Sequence, residues 1–334
     1  MENSNFGGKS DFRIIKHLGE GSTSDVYLCA LNSKKYAIKI LKDIPIAKTS
    51  FLQETQALSE INHPLITNLI TSGISKIQFK NYYIEKPYIL LELAEKGELF
   101  NYIFHPKKGF SEREARFLFK QILQAIRACH EKKIAHLDIK TENIMLDSNW
   151  NVKIADFGLS TILYNNSIID NYLGTESFLA PEVINKKPYD PFKADIFALG
   201  VTLFIILAGK TPFKSAKKFD IHYQYYIKKR QELFWKIIKK NNCLVNDFSS
   251  EALDLFNKLF EPDPNLRISI DQIMNHPWMS METASRDEME TEFKEREKII
   301  IESIKSEQET NSSEINKIPF FKITIDCENL EHSN

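Results

Sequence analysis

The hydrophobic pattern changes character along the chain. Residues 12 to 41 hold three short β-branched or aromatic runs, F-R-I-I-K-H-L, D-V-Y-L-C-A-L and K-Y-A-I-K-I-L. The polar turns G-E-G-S-T-S and N-S-K-K separate them, which predicts three strands. Residues 51–61, F-L-Q-E-T-Q-A-L-S-E-I, predict a helix with Leu52, Thr55, Leu58 and Ile61 on one side, ended by His63-Pro64. A further strand-like run, Y-I-L-L-E-L, covers 88–93. From about Gly97 the period becomes helical. Ser111 and Glu114 form a capping box, and Ala115, Leu118, Phe119, Ile122, Ile126 and Cys129 recur behind it at helical spacing. The longest apolar run, Ile196 to Ala208, is interrupted by Gly200 and Thr202. It is shorter than the ~20 residues of a membrane span and reads as a buried core helix.

The chain thus predicts an α+β architecture, with a small β-rich lobe followed by a larger helical lobe. After about Ser280 a tail follows. Residues 286–309 are dense in Glu and Lys, with Met289, Phe293, Ile300 and Ile304 placed to share one helical face. A polar break, N-S-S-E, precedes a strand-like I-P-F-F-K-I-T-I at 318–325. No internal repeat is visible.

A length of 334 residues accommodates two lobes and a tail. The net charge of -1 gives no global drive toward nucleic acid or an anionic membrane surface, so neither is expected as a partner. Cys29, Cys129, Cys243 and Cys327 are far apart and form no C-x-x-C pair, which fits a reducing compartment. The first residues, M-E-N-S-N-F-G-G, lack a signal-peptide pattern, and Gly7 is too far in for myristoylation. The last residues, E-H-S-N, carry no prenylation motif. The expected location is the cytoplasm.

Gly19, Gly21 and Ser24 occupy the three small positions of G-x-G-x-x-G. Such a turn lets backbone N–H groups approach phosphate oxygens, although an ordinary hairpin turn would look similar. Lys39, in Y-A-I-K, is either an outward surface charge or a phosphate-binding cation held by Glu54, fifteen residues on. Asp156-Phe157-Gly158 follows the strand-like V-K-I-A. An aspartate at a strand end suits magnesium, a hard cation, and Asn143 offers an amide oxygen. Residues 136–143 read H-L-D-I-K-T-E-N, a carboxylate, an ammonium and an amide spaced for phosphate chemistry. Ala180-Pro181-Glu182 follows 24 residues after Asp156.

In that order and spacing the chain resembles the eukaryotic Ser/Thr protein kinases, most closely the calcium/calmodulin-dependent group. The resemblance runs over about residues 11–279 and rests on L-G-E-G-S-T-S-D-V, Y-A-I-K, H-L-D-I-K-T-E-N, D-F-G, G-T-E-S-F-L-A-P-E, D-I-F-A-L-G and D-P-N-L-R-I-S with H-P-W. It implies a bilobal kinase fold, with an N-lobe at 11–94 and a C-lobe at 95–279. A flexible N-terminus at 1–10 and a charged, regulatory tail at 280–334 flank it.

The resemblance also implies roles. ATP and Mg2+ would be the cofactors, and protein substrates the partners. Leu18, Gly19, Glu20, Gly21 and Ser22 would cover ATP. Lys39, oriented by Glu54, would neutralise its phosphates. Asp156 and Asn143 would hold magnesium. Asp138 would orient the substrate hydroxyl and accept its proton, and Lys140 would meet the γ-phosphate. Val26, Ala37 and Met145 would sandwich the adenine, whose edge would bond backbone groups near Glu92 and Ala94, with Leu91 as gatekeeper. Glu182 would pair with Arg267, Asp195 would cap the catalytic-loop backbone, and Leu58, Leu69, His136 and Phe157 would stack between the lobes. Lys140 and Thr175 match the Ser/Thr branch. All four chemical residues, Lys39, Asp138, Asn143 and Asp156, are present, which disfavours a scaffold that binds nucleotide without transfer. The G-T…A-P-E segment disfavours a small-molecule kinase.

Glu98 and Glu142 fall where basophilic relatives place carboxylates against a substrate arginine; the alternative is two solvated acids. Where much of the family carries an arginine that pairs with an activation-loop phosphate, this chain has Leu137. The matching helper positions, Thr161 and Ser50, are not cationic, and the usual phosphosite falls near Asn171, beside Asp170. The implied enzyme orders its loop without that phosphate, with Ser167, Thr175 and Ser177 as the other loop hydroxyls. Acids such as Glu288, Glu290, Glu292, Glu295 and Glu297 argue against a calmodulin-binding tail helix, and no EF-hand loop is present. Residues 214–240 are expected to form a solvated loop and helix or a partner surface.

Overall fold

Alternation in the first third of the chain produces strands, as the pattern requires. The computed structural model describes residues 9–31, 33–79, 82–164, 168–240, 248–310 and 321–326. Strands β1 (Lys9–Glu20), β2 (Ser24–Leu31) and β3 (Lys34–Leu41) form an antiparallel meander, with β2 and β3 paired from Ser24↔Leu41 to Leu31↔Lys34. Helix α1 (Pro45–Glu60) follows, then β4 (Leu69–Phe79) and β5 (Tyr82–Glu92), which pair with each other; β5 also pairs with β3.

Helix α1 begins six residues before the predicted start, with Pro45 in its first turn, where a missing N–H costs nothing. Its inward face carries Ala47, Ser50, Glu54, Ala57 and Leu58, with Ile61 buried just beyond the end. Leu52 was expected on that face and is instead 63% exposed. It stands two residues from Ser50, about 200° around the helix. The phase of α1 follows Ser50 and Glu54, polar residues that a hydrophobic pattern overlooks.

The helical lobe begins with the short strand β6 (Gly97–Glu98), then α2 (Leu99–Phe104) and α3 (Glu112–Glu131). Helix α3 carries the predicted Ser111–Glu114 capping box and buries the predicted apolar stripe. Short strands β7 (Ile134–Ala135), β8 (Ile144–Leu146), β9 (Val152–Ile154) and β10 (Thr161–Ile162) carry the central loops. They form two small sheets, β6-β8-β9 and β10-β7. Then come α4 (Pro181–Ile184) and α5 (Pro191–Ala208). Helix α5 is apolar and long enough for a bilayer, yet it is 83% buried within the lobe. A Cβ on Gly200 would lie 2.9 Å from Leu259 Cβ, so this glycine lets α5 approach the chain around Leu259 closely.

Helices α6 (Gln224–Ile227), α7 (Gln231–Lys240), α8 (Ser250–Leu259), α9 (Ile270–Met274) and α10 (Pro277–Ser280) complete the lobe. The 214–240 segment departs from the expected solvated loop and helix. Phe219 is 90% exposed, but Tyr223, Tyr226, Phe234 and Trp235 are buried among Phe197, Phe204, Phe256 and Phe260. Four of its aromatic residues are core, while Phe219, Ile221 and the lysine-rich positions face water.

The described tail residues meet both lobes. Helix α11 (Arg286–Thr310) buries Met289 and Phe293, with Ile300 packed at the margin, whereas Ile304 is 41% exposed. Strand β11 (Phe321–Asp326) inserts between β1 and β4 and closes the first sheet into a barrel of order β1-β11-β4-β5-β3-β2. Residues 318–320 of the predicted strand, Ser167, Cys243 and Cys327 lie outside the described residues.

The Glu182–Arg267 pair ties α4 to the loop before α9. Arg267 donates to both carboxylate oxygens of Glu182 at 2.6 and 2.9 Å, with each residue buried. Replacing Arg267 with Met is expected to lower stability by about 3–5 kcal/mol, because the carboxylate stays buried without its partner. Urea unfolding of wild type and R267M measures it.

Candidate active site

The loop between β7 and β8 is shaped from below by α5. Asp195, fully buried, accepts the backbone N–H groups of His136 at 2.9 Å and Leu137 at 2.8 Å, and pairs with His130 Nε2 at 2.9 Å. This is the expected cap. It holds Leu137 at φ 63°, a left-handed conformation that costs a leucine about 1–2 kcal/mol. Asp156 adopts the same φ at the end of β9.

Four predicted residues meet at one carboxylate. Asp138 Oδ1 accepts from the Thr175 hydroxyl at 3.0 Å. Its Oδ2 accepts from Lys140 Nζ at 2.6 Å and Asn143 Nδ2 at 2.9 Å. Lys140 also donates to Thr175 Oγ1 at 3.0 Å. Asn143 Nδ2 donates again to the Asp138 carbonyl at 2.8 Å, which directs its amide oxygen away from Asp138.

The second cluster joins both lobes. Lys39 Nζ on β3 lies 2.5 Å from Glu54 Oε1 on α1 and 3.0 Å from Asp156 Oδ1. Burial works against the charge on Lys39, but Asp156 and Glu54 outweigh it and hold its pKa above the usual lysine value. The Lys39 ammonium lowers Asp156 to about 2 against the opposing effect of burial. Burial raises Glu54, with Lys39 opposing it. Phe157, fully buried, stacks on His136 with centroids 4.7 Å apart, and Leu58 and Leu69 join the same core.

Around this cluster lie the residues assigned to a nucleotide. The turn carrying Leu18, Gly19, Glu20, Gly21 and Ser22 is closed by a Gly21 N–H to Ser24 carbonyl bond at 2.8 Å, and Glu20 pairs with Lys42 at 2.5 Å. Val26 is opposite Lys39 on the sheet, Ala37 is opposite Leu91, and Met145 is opposite Glu98 on the other lobe. The Glu92 N–H bonds the Asn68 carbonyl, and the Ala94 carbonyl accepts from Gly97. Those two backbone groups are engaged within the protein. The Glu92 carboxylate points to Lys153 at 2.7 Å and the Asn68 N–H at 3.0 Å, so it braces the lobe connection. Lys153 was not singled out by sequence. Its signal was a buried lysine three residues before Asp156, indistinguishable there from a surface charge.

Glu98 and Glu142 are close enough to interact. Burial first, then the Glu142 charge, raises the Glu98 pKa. Leu137 is buried and faces Leu173, Leu179, Tyr189 and Ala194. The segment beyond Asp156 is held by other contacts. Ile169 and Tyr189 exchange backbone bonds at 2.9 and 2.8 Å, and the Tyr189 hydroxyl donates to the Asn171 carbonyl at 3.0 Å. Thr161 pairs with Ala135, and Ser50 is buried next to Gly158.

Two lobes of this make, with an ion triad and a hydroxyl-binding carboxylate between them, define the protein kinase class of fold. The chain belongs to the protein kinase domain family, whose model matches residues 12–279. It is 36% identical over 279 residues to SNF1-related protein kinase catalytic subunit alpha KIN12 of Arabidopsis thaliana, covering 81% of this chain and 51% of that protein. It is 34% identical over 277 residues to CBL-interacting protein kinase 10 of Oryza sativa subsp. japonica, covering 80% and 56%. Mitosis inducer protein kinase cdr1 of Schizosaccharomyces pombe is 35% identical over 270 residues, covering 80% and 42%. The chain spans about half the length of the curated relatives it matches.

The ion triad generates a pH prediction. Asp156 has a folded pKa of about 2 against the usual 3.8, so its contribution to stability is complete above 3.8 and is lost as pH falls through about 2. Carboxyl NMR titration is expected to find Asp156 ionised down to that range. In Lys39→Met its pKa is expected to rise, because burial is then opposed only by the weaker effects of His136 and Lys140.

Proposed function

We propose that the chain is an ATP-dependent Ser/Thr protein kinase that favours basic substrates and does not depend on activation-loop phosphorylation. The observation that carries this reading is the pairing of an Asp138–Lys140–Thr175 triangle with a Lys39–Glu54–Asp156 triad, near enough that the Lys140 charge acts on Asp156.

Phosphoryl transfer demands positioning and charge neutralisation more than covalent chemistry. Asp138 Oδ2 is occupied by Lys140 and Asn143, which fixes the carboxylate plane. Oδ1 meets the Thr175 hydroxyl, at the edge where a substrate hydroxyl would bind. That hydroxyl oxygen forms a bond to the γ-phosphorus as the bond to ADP breaks, and its proton passes to Asp138. Lys140 neutralises charge on the transferred group, and Lys39 does so on the ATP phosphates. Magnesium, when bound, would neutralise the phosphate oxygens further. Asp156 fits its requirement with a 48% exposed, acceptor-only carboxylate, and Asn143 with an amide oxygen turned from Asp138. Ala155 bonds the Asn143 carbonyl, which places the two residues on adjacent chain segments.

Glu98 and Glu142 support the basic-substrate reading, because two interacting carboxylates, one of them raised by burial, favour an incoming guanidinium. The loop reading is supported by the apolar packing of Leu137 and by the Ile169–Tyr189 bridge, which anchor the segment without a phosphate.

Transfer from γ-labelled ATP to arginine-containing peptides is expected in the wild type. Asp138→Ala is expected to lower kcat by about 10²–10⁴-fold. Glu98→Gln with Glu142→Gln is expected to reduce kcat/KM for peptides with arginine three residues before the acceptor by about 10- to 100-fold, sparing peptides without it. Phosphatase treatment is expected to leave activity intact; a loss mapped to the loop contradicts the independence claim.

A further inference from the structure

The tail engages the catalytic unit at two separate places. On the helical lobe, Phe293 is fully buried, stacked on Trp150 with centroids 5.0 Å apart and meeting Tyr102 and Phe110 edge-on. One turn later, Arg296 is 2% exposed. Its guanidinium donates to the carbonyls of Tyr102 at 2.8 Å, Lys108 at 2.7 Å and Gly109 at 2.7 Å, and lies 3.7 Å over the Phe110 ring. These carbonyls belong to the end of α2 and the loop after it, where a chain leaving a helix has acceptors without intrahelical donors. The tail supplies those donors.

The next residue, Glu297, reaches the connection between the lobes. It pairs at 3.1 Å with Lys96, whose ammonium lies 4.3 Å over Trp150. The Tyr102 hydroxyl holds the Lys96 carbonyl at 3.0 Å. Lys96 is two residues beyond Ala94, where the adenine edge is expected.

On the other lobe, β11 pairs in register with both neighbours. Ile323 is the partner of Phe12 on β1 and of Ile77 on β4. Phe12 and Ile77 are both in the barrel core, 1% and 0% exposed. Phe321 to Asp326 alternate apolar and polar residues, the pattern of a strand with one buried face. Without β11, β1 and β4 become open edges over that core. Strand β1 runs directly into the Gly19–Gly21 turn.

We propose that α11 and β11 act together on the two lobes, α11 fixing the lobe connection through Arg296 and Glu297 and β11 fixing the strand that carries the ATP-covering turn. The tail is then a positioning element of the catalytic unit, not a segment that blocks the substrate groove. The side-chain bonds of the described tail residues agree: they run to Lys96, Tyr102, His105, Lys108, Gly109, Arg113, Asn149 and Asn151, away from Asp138, Glu142 and Thr175. The kinetic part of this proposal rests on the kinase reading; the structural part does not.

The test compares the full chain with a chain ending after Thr310 and with Ile323→Pro, which cannot donate to the ladder. Amide exchange at Phe12–Arg13 and Ile77 is expected to accelerate about tenfold or more in both variants, a readout independent of turnover. KM for ATP is expected to rise roughly three- to tenfold with a smaller change in kcat. In the full chain, Lys96→Glu is expected to raise KM for ATP, with Glu297→Lys restoring it. Unchanged exchange in β1 and β4, or a kcat that increases on truncation, overturns the proposal. If no variant transfers phosphate yet exchange still accelerates, the kinase reading has failed and the tie stands.

Discussion

The Lys39 ammonium is the constraint on which the cleft depends. One cation on β3 meets Glu54 from α1 and Asp156 from the other lobe, so three elements must agree in position to within a hydrogen bond. Burial opposes the charge on all three groups. Their mutual attraction holds the Lys39 pKa up and the Asp156 pKa down. The phase of α1 follows from the same demand, since the helix must turn Glu54 inward even though this leaves Leu52 in water.

The lower half of the site is built by a different device. Asp195 accepts two backbone N–H groups of the catalytic loop from within the most apolar helix of the protein. A buried carboxylate with that many donors is well satisfied, and it fixes Leu137 in a left-handed conformation. Leu137 is buried beside Leu173, Leu179, Tyr189 and Ala194, and the segment beyond Asp156 carries the Ile169–Tyr189 bridge and the Tyr189–Asn171 bond.

The clusters around Asp138 and Lys39 were legible in the sequence because the proposed phosphoryl transfer restricts residue type and order. Lysine, aspartate and asparagine at Lys39, Asp138, Asn143 and Asp156 have few substitutes, and glycine and proline mark the turns around them. The residues that were not legible share a physical cause: each is polar or charged but buried by a partner distant in sequence. Arg296 reads as one more charge in a Glu/Lys-rich helix until its three carbonyls, nearly two hundred residues earlier, are known. Lys153 reads as a surface lysine until Glu92 is placed opposite it. Residues 318–325 declare a strand through their alternation, but not that the strand would enter between β1 and β4, because pairing partners are chosen by non-local register. The aromatic residues of 214–240 were masked by the lysines interleaved with them.

The central claim is that this cleft transfers phosphate to Ser and Thr without a phosphorylated loop. Its most direct measurement incubates phosphatase-treated chain with ATP, magnesium and a peptide library containing Ser, Thr and Tyr acceptors, and identifies the products by mass spectrometry. The account predicts phosphorylated Ser and Thr peptides. Nucleotide binding with no phosphopeptide formed, or phosphate found on tyrosine alone, would contradict it.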